Sequence, residues 1–597
     1  MSRSAADVTS AKFTTRPVIQ GRHGVVSSGH YLASEIALRI LNAGGNAVDA
    51  GVAGVFALTV LKPQSCGIGG ESPMLMWRPE SDAAARGDGL PNPLAINGQG
   101  SAPRAATIEW FRSQGIPMIP GDGLLAPTVP ATFDACIEAL RVGGRLGLVE
   151  TLEPAVELAR EGFALYPSLR EQIATHAAKY QEFYPSTAAV VLDDGRVPDV
   201  GWWFRQPEWA ATFQGVIDAA ARARAGGREA ELDAGRAAYY RGPIARRLVD
   251  FAQGTRVHDG TGRANHGILA EADFAGYETR LEPPVTVRYA GLDVYKCHAW
   301  TQGPVFLQQL RLLEGFDLPA LGHNSPEYIH LVVEASKLAF ADRERWYGDP
   351  EFSDVPMKRM LSSEYAAERR RLIDPDRASP DLRPGDADGG PLRAVGGGPV
   401  LTAGDTTHID VIDAEGRMFA ATPSGGWLES SPIVPGLGFP LGSRLQVFNL
   451  DAGHPNSLAP GKRPRTTLTP SLAMRDGRPE MVFGTPGGDQ QDQHTVQFFL
   501  NVVEFGMDLQ AALDAPLFHT NHFPSSFYPH EAFPKRVVVE GRVPRATREA
   551  LVDLGHVVVT AGDWELGQLN AVRFHPDTGR IEGGASPRSM VAYAMGR

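Results

Sequence analysis

Cysteine is scarce in this chain, and the three that occur are far apart. Cys66, Cys136 and Cys297 leave no pair at the close spacing that metal-binding and redox cysteines use. This argues against a disulfide framework and against a zinc–thiolate site. We expect no metal and no other cofactor.

Long apolar runs are also missing. The most apolar helix candidate, residues 47–61, is shorter than the roughly 20 residues that a helix needs to cross a bilayer. The first 22 residues are polar and show neither the apolar stretch nor the cleavage pattern of a signal peptide. We therefore expect a cytoplasmic protein with no membrane partner, and we interpret residues 1–22 as a flexible N-terminal arm.

Positive charge is in deficit as well. The chain carries 57 Lys and Arg residues against 69 Asp and Glu residues, for a formal net charge of -12. No general attraction to nucleic acid or to an anionic membrane follows from that balance. The one basic run, residues 369–371, lacks interleaved aromatic residues, and we interpret it as the solvated face of a helix.

The sequence does contain a mixture of helix and strand patterns. Residues 125–350 have a mainly helical pattern, and the clearest helix covers 326–347 with Ser325 as its N-cap. Later segments alternate as strands do, and residues 445–449 are one of these. The glycine-rich turn 67–70 precedes a strand instead of linking a strand to a helix, which argues against a dinucleotide site.

One junction stands out from these patterns. Residues 374–404 include seven Gly and five Pro among 31 residues, without any helical or strand period, and predict a flexible linker. The linker ends at Thr406 and Thr407, where residues 407–422 predict a β-hairpin. This layout is expected if the backbone is cut there and a threonine becomes a new N-terminus. The alternative is an ordinary surface linker ahead of a strand pair.

The junction could support nucleophilic chemistry. If the bond between Asp405 and Thr406 breaks, the new α-amino group has a reference pKa of about 8 and lies close to the Thr406 hydroxyl. It can act as a general base without a histidine. The cut itself can be autocatalytic, through attack of the hydroxyl on the Asp405 carbonyl, an N-to-O acyl shift and hydrolysis of the ester.

An ordered set of short motifs extends over most of the chain. They are Leu32-Ala33-Ser34-Glu35, Gly44-Gly45-Asn46-Ala47-Val48-Asp49-Ala50, Gly67-Ile68-Gly69-Gly70, Ala341-Asp342-Arg343, Tyr347-Gly348-Asp349-Pro350, Asp405-Thr406-Thr407-His408, Lys462-Arg463-Pro464, Thr469-Pro470 and Gly484-Thr485-Pro486-Gly487-Gly488. Each motif is weak alone, but the ordered set, from about residue 23 to 588, resembles the γ-glutamyltranspeptidase family of N-terminal-nucleophile hydrolases.

That resemblance implies an α+β fold, a four-layer αββα sandwich made as one precursor and cut into two subunits. The large subunit would be residues 23–405, helix-rich and ending in the linker 374–405. The small subunit would be residues 406–597, strand-rich and with the nucleophile at its N-terminus. The two subunits are expected to stay together as a heterodimer, either alone or as a dimer of heterodimers.

The resemblance also implies roles for individual residues. Thr406 matches the family's nucleophile. Ser424 matches the hydroxyl that hydrogen-bonds the nucleophile, although the family usually has threonine there. Gly487 and Gly488 match the glycines whose backbone N–H groups form the oxyanion hole.

On the substrate side the match is incomplete. Thr466 and Thr467 stand where a pair of serines touches the substrate's carboxylate in the family. Gln99 stands where members that take γ-glutamyl groups have arginine. Arg444 aligns near a glutamine of the family, and we expect it to contact a carboxylate or carbonyl of the substrate.

Two further departures concern the substrate's α-amino group. The family holds this group with an Asn, which aligns at Gly426, and an Asp, which aligns near Val447. Neither replacement can pair an ammonium ion, and an unpaired buried charge would cost several kcal/mol. We therefore expect poor activity on γ-glutamyl-p-nitroanilide.

The sequence leads to a self-processing threonine amidohydrolase that cleaves a small γ-glutamyl-like or related acyl amide through an acyl-enzyme. One alternative is a true γ-glutamyltransferase or glutathione hydrolase. Another is a catalytically inactive binding homologue, although the intact Thr406, Gly487 and Gly488 count against it. His519, His522 and His530 lie around a loop rich in Phe and Pro; a metal site would need cysteines or carboxylates in a defined geometry beside them, so we do not expect a metal there.

Overall fold

The computed structural model describes residues 13–82, 87–385 and 406–597. Its helices are Tyr31–Asn42, Ala47–Leu61, Ile108–Ser113, Thr132–Gly143, Leu148–Glu161, Pro167–Phe183, Pro185–Val191, Pro207–Ala223, Arg228–Tyr240, Pro243–Gly254, Glu271–Ala275, Pro304–Leu313, Leu318–Leu321, Pro326–Trp346, Met357–Met360, Ser363–Arg370, Gln491–Val503, Leu509–Asp514 and Arg545–Asp553. Short 3₁₀ turns are Arg224–Gly226, Arg444–Val447 and Gly488–Gln490.

Two antiparallel seven-stranded sheets lie at the centre. Sheet I has the strand order Tyr593–Gly596, Gly24–Ser28, Ile409–Asp413, Met418–Ala421, Met74–Trp77, Leu94–Asn97 and Arg280–Glu282. Sheet II has the order Ile19–Gly21, Arg580–Ala585, Asn570–His575, Arg478–Gly484, Ser471–Arg475, Leu292–Lys296 and Val285–Tyr289.

Three small sheets lie outside this centre. One has the strands Phe518–Thr520, Arg536–Glu540 and Val557–Ala561, one pairs Phe163–Ala164 with Trp203–Phe204, and one pairs Val257–His258 with Ala264–Asn265.

The two central sheets pack face to face because their side chains alternate between two apolar surroundings. Val25 of sheet I belongs to the core between the sheets, which also holds Val482 and Val572 of sheet II. The next residue, Val26, points to the opposite face and joins the core shared with helix Ala47–Leu61. Both faces of sheet I are therefore buried.

Helix Ala47–Leu61 covers the outer face of sheet I, and every one of its residues is buried. It is apolar on all sides, as expected for a helix enclosed between a sheet and other helices. Asn46 and Asp49 close its N-terminus with a reciprocal capping box. The bounds agree with those expected from the sequence.

A second helical layer covers sheet II. Phe306, Ile329 and Phe499, from three different helices, share one apolar core with Phe483 of the sheet. The order of layers is thus helix, sheet, sheet, helix. The predicted four-layer αββα sandwich is confirmed.

Both sheets combine strands from before and after Thr406. Ile409–Asp413 pairs with Gly24–Ser28 on one side and Met418–Ala421 on the other. In sheet II, Leu292–Lys296 pairs with Ser471–Arg475. The predicted large and small subunits are consequently two interleaved parts of one sandwich.

Two segments expected to be flexible are partly packed. Ile19–Gly21, within the predicted arm 1–22, forms an edge strand beside Arg580–Ala585. Within the predicted linker, Ala378 N donates to Leu554 O at 2.8 Å, and Gly385 N donates to Asp342 Oδ1 at 2.8 Å. Residues 1–12 and 386–405, including the cleavage-site residue Asp405, lie outside the described residues.

Two local expectations were wrong. Residues 445–449 form no strand, because the chain turns through the 3₁₀ segment Arg444–Val447 and so buries Arg444. Arg369, expected on a solvated face, is 6% exposed, and its guanidinium lies 3.4 Å from Asp342. Among the described residues, no helix combines the length and apolarity needed to cross a membrane.

Candidate active site

The hairpin of sheet I brings Thr406 and Ser424 opposite each other. Beyond the paired strands Ile409–Asp413 and Met418–Ala421, the ladder continues with an isolated antiparallel bridge between Thr406 and Ser424. Thr406 Oγ1 lies 3.1 Å from Ser424 Oγ, within hydrogen-bonding distance. Thr406 is 3% exposed, so the predicted nucleophile and its hydroxyl partner meet in a nearly dry setting.

A third segment continues this ladder on the far side of Ser424. Ser424 N donates to Glu71 O and Glu71 N donates to Ser424 O, both at 2.9 Å. Directly after Ser424, Gly425 and Gly426 have φ of +70° and +62°, which turns the chain away from the ladder. Ser424 is therefore paired with Thr406 on one side and with Glu71 on the other, so the three residues lie in one row across the ladder.

The glycine turn 67–70 makes this close packing possible. A Cβ on Gly70 would lie 2.1 Å from the Ser424 carbonyl oxygen, and one on Gly67 would lie 2.4 Å from the Gly426 carbonyl oxygen. Only hydrogen fits at these positions. The turn serves as a backbone support for Ser424.

Arg444 lies behind Ser424 and is 1% exposed. Its guanidinium forms an ion pair with Glu71, and its Nη2 donates to Ser424 Oγ at 2.9 Å. Its Cζ lies 5.2 Å from the ring centre of Trp427 and 5.5 Å from that of Phe527. The structure thus places Arg444 on the hydroxyl that contacts Thr406, and a contact with substrate stays a prediction.

The charge on Glu71 depends on Arg444. Complete burial raises the pKa of the Glu71 carboxyl, and the adjacent Arg444 guanidinium opposes that shift. We assign the pair as ionised, since a guanidinium keeps its proton and needs a counter-charge when buried. Glu71 is a site residue that the sequence did not reveal.

The predicted oxyanion turn follows the end of strand Arg478–Gly484. Gly487 and Gly488 have φ of +117° and +57°, in the left-handed region that glycine adopts without strain. The Gly488 carbonyl accepts a hydrogen bond from Gln302 Nε2 at 3.3 Å, which anchors the turn from the large-subunit side.

The side chain of Asp489, the residue that follows Gly488, holds the same turn in place. Its carboxylate pairs with the buried Arg343 and accepts from Ser526 N at 2.8 Å and Ser526 Oγ at 2.6 Å. Arg343 Nη1 also donates to Gln302 Oε1 at 2.9 Å. Asp489 therefore belongs to the frame, and the sequence motif that contains Arg343 has a supporting role.

The ring of Phe527 lies between the turn at Gly488 and the guanidinium of Arg444. A Cβ on Gly488 would lie 3.0 Å from Phe527 Cε2, and the same ring lies against Arg444. Arg444 in turn contacts Ser424, which contacts Thr406. The hydroxyls of Thr406 and Ser424, a buried cation and a glycine turn are thus linked by successive contacts, an arrangement suited to acyl transfer.

Comparison with known proteins agrees with this arrangement. Residues 33–595 match the sequence profile described as Gamma-glutamyltranspeptidase. The chain belongs to the γ-glutamyltranspeptidase family. It is an enzyme that acts on amide bonds, as its motifs predict.

Two curated relatives and one solved structure cover nearly the whole chain. The Glutathione hydrolase-like YwrD proenzyme of Bacillus subtilis (strain 168) is 31% identical over 575 residues, 95% of this chain and 97% of the relative. The Acylase ACY 1 proenzyme of Pseudomonas sp. (strain SE83) is 32% identical over 582 residues, 95% of this chain and 93% of the relative. The structure of LmbA2991T421A is 44% identical, with a TM-score of 0.91 over 98% of this chain and 100% of that chain.

Several γ-glutamyltranspeptidase positions on the predicted substrate side hold buried groups without a partner. Among the described residues, neither Thr466 Oγ1, Thr467 Oγ1 nor either side-chain amide atom of Gln99 has a hydrogen-bond partner. Arg444 Nη1 likewise has no hydrogen-bond partner among the described residues. Buried polar atoms are normally paired, so these four side chains hold hydrogen-bonding capacity that the protein itself does not use. Their contact with substrate stays a prediction.

The two positions expected to replace anchors of the γ-glutamyltranspeptidase family, Val447 and Gly426, carry no polar side chain. Val447 is 3% exposed and ends the 3₁₀ segment that begins at Arg444. Gly426 lies against Gly67 and Gly70, where a Cβ would come within 3.0 Å of Gly70 N. Neither position offers a carboxylate or amide to an ammonium group.

A buried hydrogen-bond network follows Thr406 in the chain and involves His408, Asp410 and Thr422. His408 Nδ1 lies 2.9 Å from Thr422 Oγ1, and His408 Nε2 lies 2.8 Å from Asp410 Oδ1. Complete burial raises the pKa of Asp410 to about 6, against the opposing effect of His408. Gly484 is needed beside this ring, since a Cβ there would lie 2.3 Å from His408 Cε1.

The histidines of the predicted loop make separate contacts. His519 Nδ1 lies 3.2 Å from His494 Nε2, His522 Nδ1 accepts from Lys535 N at 2.8 Å, and His530 Nδ1 lies 2.8 Å from Ser525 O. These side chains therefore do not point at one common ligand position.

A different buried group, His330, Glu334 and His556, has its ligand atoms within 4.8 Å of one another. The Glu334 carboxylate already pairs with Lys337 at 2.6 Å and lies 3.4 Å from Arg383. His330 Nδ1 and His556 Nε2 lie 2.8 Å apart, as hydrogen-bond partners do. With two cations on its carboxylate, this group is better suited to holding helix Pro326–Trp346 against the C-terminal region than to binding a metal.

Proposed function

We propose that this protein is a self-processing amidohydrolase with Thr406 as its N-terminal nucleophile, acting on an acyl amide whose acyl group lacks a free α-amino acid head group. The observation that carries the proposal is the 3.1 Å approach of Thr406 Oγ1 to Ser424 Oγ in a buried ladder. Membership of the γ-glutamyltranspeptidase family supports the reaction class.

The first step is cleavage of the precursor before Thr406. Thr406 Oγ1 attacks the carbonyl carbon of Asp405, the C–N bond breaks, and the peptide is converted into an ester. That shift frees the α-amino group of Thr406, which takes up the proton of Oγ1, and water then hydrolyses the ester to give the carboxyl group of Asp405 and the Thr406 hydroxyl. The names of both curated relatives, each a proenzyme, support such a step.

In turnover the new α-amino group acts as the general base. It accepts the proton of Oγ1 as that oxygen attacks the amide carbonyl, and the backbone N–H groups of Gly487 and Gly488 receive the oxyanion. The proton passes to the leaving amine, and an acyl-enzyme remains. Water, activated by the same amino group, releases the acid and restores Thr406.

The substrate class follows from the replaced anchors. Gln99, Gly426 and Val447 stand where γ-glutamyl-accepting members hold the carboxylate and ammonium groups of the substrate. The unpaired Thr466, Thr467 and Gln99 side chains can still hydrogen-bond a neutral or anionic oxygen. We therefore favour an acyl group that carries an oxygen acceptor and no ammonium group, and the acylase among the relatives supports that choice.

The cleaved chain would remain a heterodimer of residues 1–405 and 406–597. Support comes from the strand order, because Ile409–Asp413 lies between two strands of sheet I, one of them from the large subunit. A dimer of such heterodimers and a cytoplasmic location stay predictions.

Denaturing electrophoresis tests the processing step. Wild-type protein should give two bands in a mass ratio of about two to one, since 405 of 597 residues precede the cut. Thr406→Ala should give one band, and Thr406→Ser should restore two. Thr407→Val is the matched control and should process normally. A single band for wild type would refute the central claim.

A substrate panel tests the substrate class. Purified, processed enzyme is assayed on γ-glutamyl-p-nitroanilide and on p-nitroanilides of acyl groups of similar length that end in a carboxylate or carboxamide and have no amino group. We expect a higher kcat/KM on the second set. A preference for the γ-glutamyl compound would instead support a true γ-glutamyltransferase or glutathione hydrolase.

A further inference from the structure

The hydroxyl of Ser424 lies between a cation and the nucleophile. Arg444 Nη2 lies 2.9 Å from Ser424 Oγ, and Thr406 Oγ1 lies 3.1 Å from the same oxygen. A guanidinium has donors and no acceptor, so Ser424 accepts the hydrogen bond from Arg444. The Ser424 O–H can then donate a hydrogen bond to Thr406 Oγ1.

This order of donors would matter for the reaction. When Thr406 Oγ1 accepts a hydrogen bond from the Ser424 hydroxyl, the Thr406 O–H is left to donate to the α-amino base. Negative charge that develops on Oγ1 during attack is then stabilised by a donor already in place. A donor that is itself hydrogen-bonded to a cation is a stronger donor, because chains of hydrogen bonds polarise one another.

We propose that Arg444 and Glu71 are positioning residues that fix the direction of the Ser424 hydroxyl, so that hydrogen bonds run from Arg444 to Ser424 to Thr406. This inference rests on the proposed function and deepens it. It also gives Arg444 a role other than the substrate contact expected from the sequence.

Glu71 holds the guanidinium in the required place. Its main chain exchanges two hydrogen bonds of 2.9 Å with Ser424, while its carboxylate pairs with Arg444. Trp427 and Phe527 lie within 5.5 Å of the guanidinium carbon and restrict its movement. The carboxylate, the guanidinium and the hydroxyl are therefore fixed relative to one another before any substrate arrives.

The first test separates positioning from substrate binding. Arg444→Lys keeps a positive charge for Glu71 but cannot match the forked contact of the guanidinium with Glu71 and Ser424. We expect kcat to fall about 10-fold to 100-fold, as when a donor to the reacting oxygen is lost, with KM within about twofold of wild type. A raised KM with unchanged kcat would overturn the proposal in favour of a substrate contact.

Self-processing gives a second readout, because it uses the Thr406 hydroxyl without a separate substrate. The rate at which freshly made precursor converts to two bands should fall in Arg444→Lys and in Glu71→Gln. Arg78→Lys is the matched control, since Arg78 is also 1% exposed and its guanidinium also pairs with a carboxylate, that of Asp88, at 2.6 Å. Unchanged processing in both site variants would count against positioning.

A double-mutant cycle with Ser424→Ala completes the test. If Arg444 acts through Ser424, Arg444→Lys should change kcat by less than about twofold in the Ser424→Ala background. A full 10-fold loss in that background would overturn the proposal. If Arg444→Lys does not fold, Glu71→Gln combined with Arg444→Met, which leaves no unpaired charge, takes its place in the cycle.

The outcomes distinguish this inference from the proposed function. If wild type neither processes itself nor hydrolyses any amide of the panel, the proposed function fails. If wild type does both and the variants alter KM alone, only the positioning role fails.

Discussion

His408 Nε2 and Asp410 Oδ1 lie 2.8 Å apart in a pair that solvent does not reach, two and four residues after Thr406. Burial raises the pKa of Asp410 to about 6. The ordinary value in an unfolded chain is about 4. The folded state therefore holds this proton more tightly than the unfolded state does.

The first prediction concerns stability against pH. The contribution of protonated Asp410 to the free energy of unfolding is fully present below about pH 4. It is lost as the pH rises through about 6, a change of about 3 kcal/mol. Asp410→Asn should remove that part of the pH dependence, so its stability relative to the parent rises between pH 4 and pH 7. Urea unfolding in the uncut Thr406→Ala background measures it. The exposed Asp199→Asn is the control, and parallel pH curves for Asp410→Asn and the parent would contradict the prediction.

The second prediction concerns the oxyanion turn. Gly488→Ala adds a Cβ 3.0 Å from Phe527 at a φ of +57°, so the backbone N–H groups of the turn should move. We expect kcat to fall about 100-fold, as for loss of an oxyanion donor. Gly461→Ala is the control, with φ of +74° and open space around its Cβ. Steady-state kinetics of processed enzyme decide, and a normal kcat in Gly488→Ala would exclude Gly488 from the oxyanion site.

The third prediction concerns the support beneath Ser424. Gly70→Ala places a Cβ 2.1 Å from the Ser424 carbonyl, which is held by Glu71 N and cannot move freely. We expect a loss of about 3 kcal/mol or more, together with loss of activity. Gly215→Ala, at an open helical position, should be neutral or stabilising by up to about 1 kcal/mol. Thermal unfolding of both variants provides the comparison. Equal unfolding midpoints for Gly70→Ala and Gly215→Ala would contradict the prediction, because they would show that the 67–70 turn can relax around the added Cβ.

The fourth prediction concerns a buried ion pair in the frame. Lys296 Nζ lies 2.9 Å from Asp492, both side chains are fully buried, and burial raises the pKa of Asp492 to about 6. Lys296→Met should cost about 3–5 kcal/mol, because it leaves an unpaired carboxylate. The double variant with Asp492→Asn should recover part of that loss. Urea unfolding at pH 7 measures both, and a double variant as unstable as the sum of the two single losses would contradict the pairing.

Much of the fold and the centre of the site could be predicted from the sequence. The capped, wholly apolar segment 47–61 and the hairpin after Thr406 are local patterns, and local patterns survive in the folded protein. The order of the four layers was implied by the family resemblance that the ordered motifs carry. The approach of Thr406 to Ser424 follows from the hairpin register, in which residues 18 positions apart become neighbours.

The rest depends on long-range contacts that leave no pattern in the sequence. Glu71 meets Arg444 across 373 positions, and nothing in the chain near Glu71 marks it as the partner of an arginine. The strand expected at 445–449 failed for a related reason, since burying Arg444 against Glu71 requires a turn there. Arg369 was misplaced because its partner Asp342 lies on another helix.

Because each sheet contains strands from both sides of Thr406, the protein presents a different folding problem after the cut. A precursor refolds as one chain, at a rate independent of concentration. The two cut pieces must find each other, and Ile409–Asp413 must insert between strands of its own piece and the other. Recovery from unfolding thus becomes second order, and the durability of the mature form becomes a matter of unfolding rate more than equilibrium. Processing therefore creates the amine for catalysis and, by the same bond cleavage, removes the connection that made assembly intramolecular.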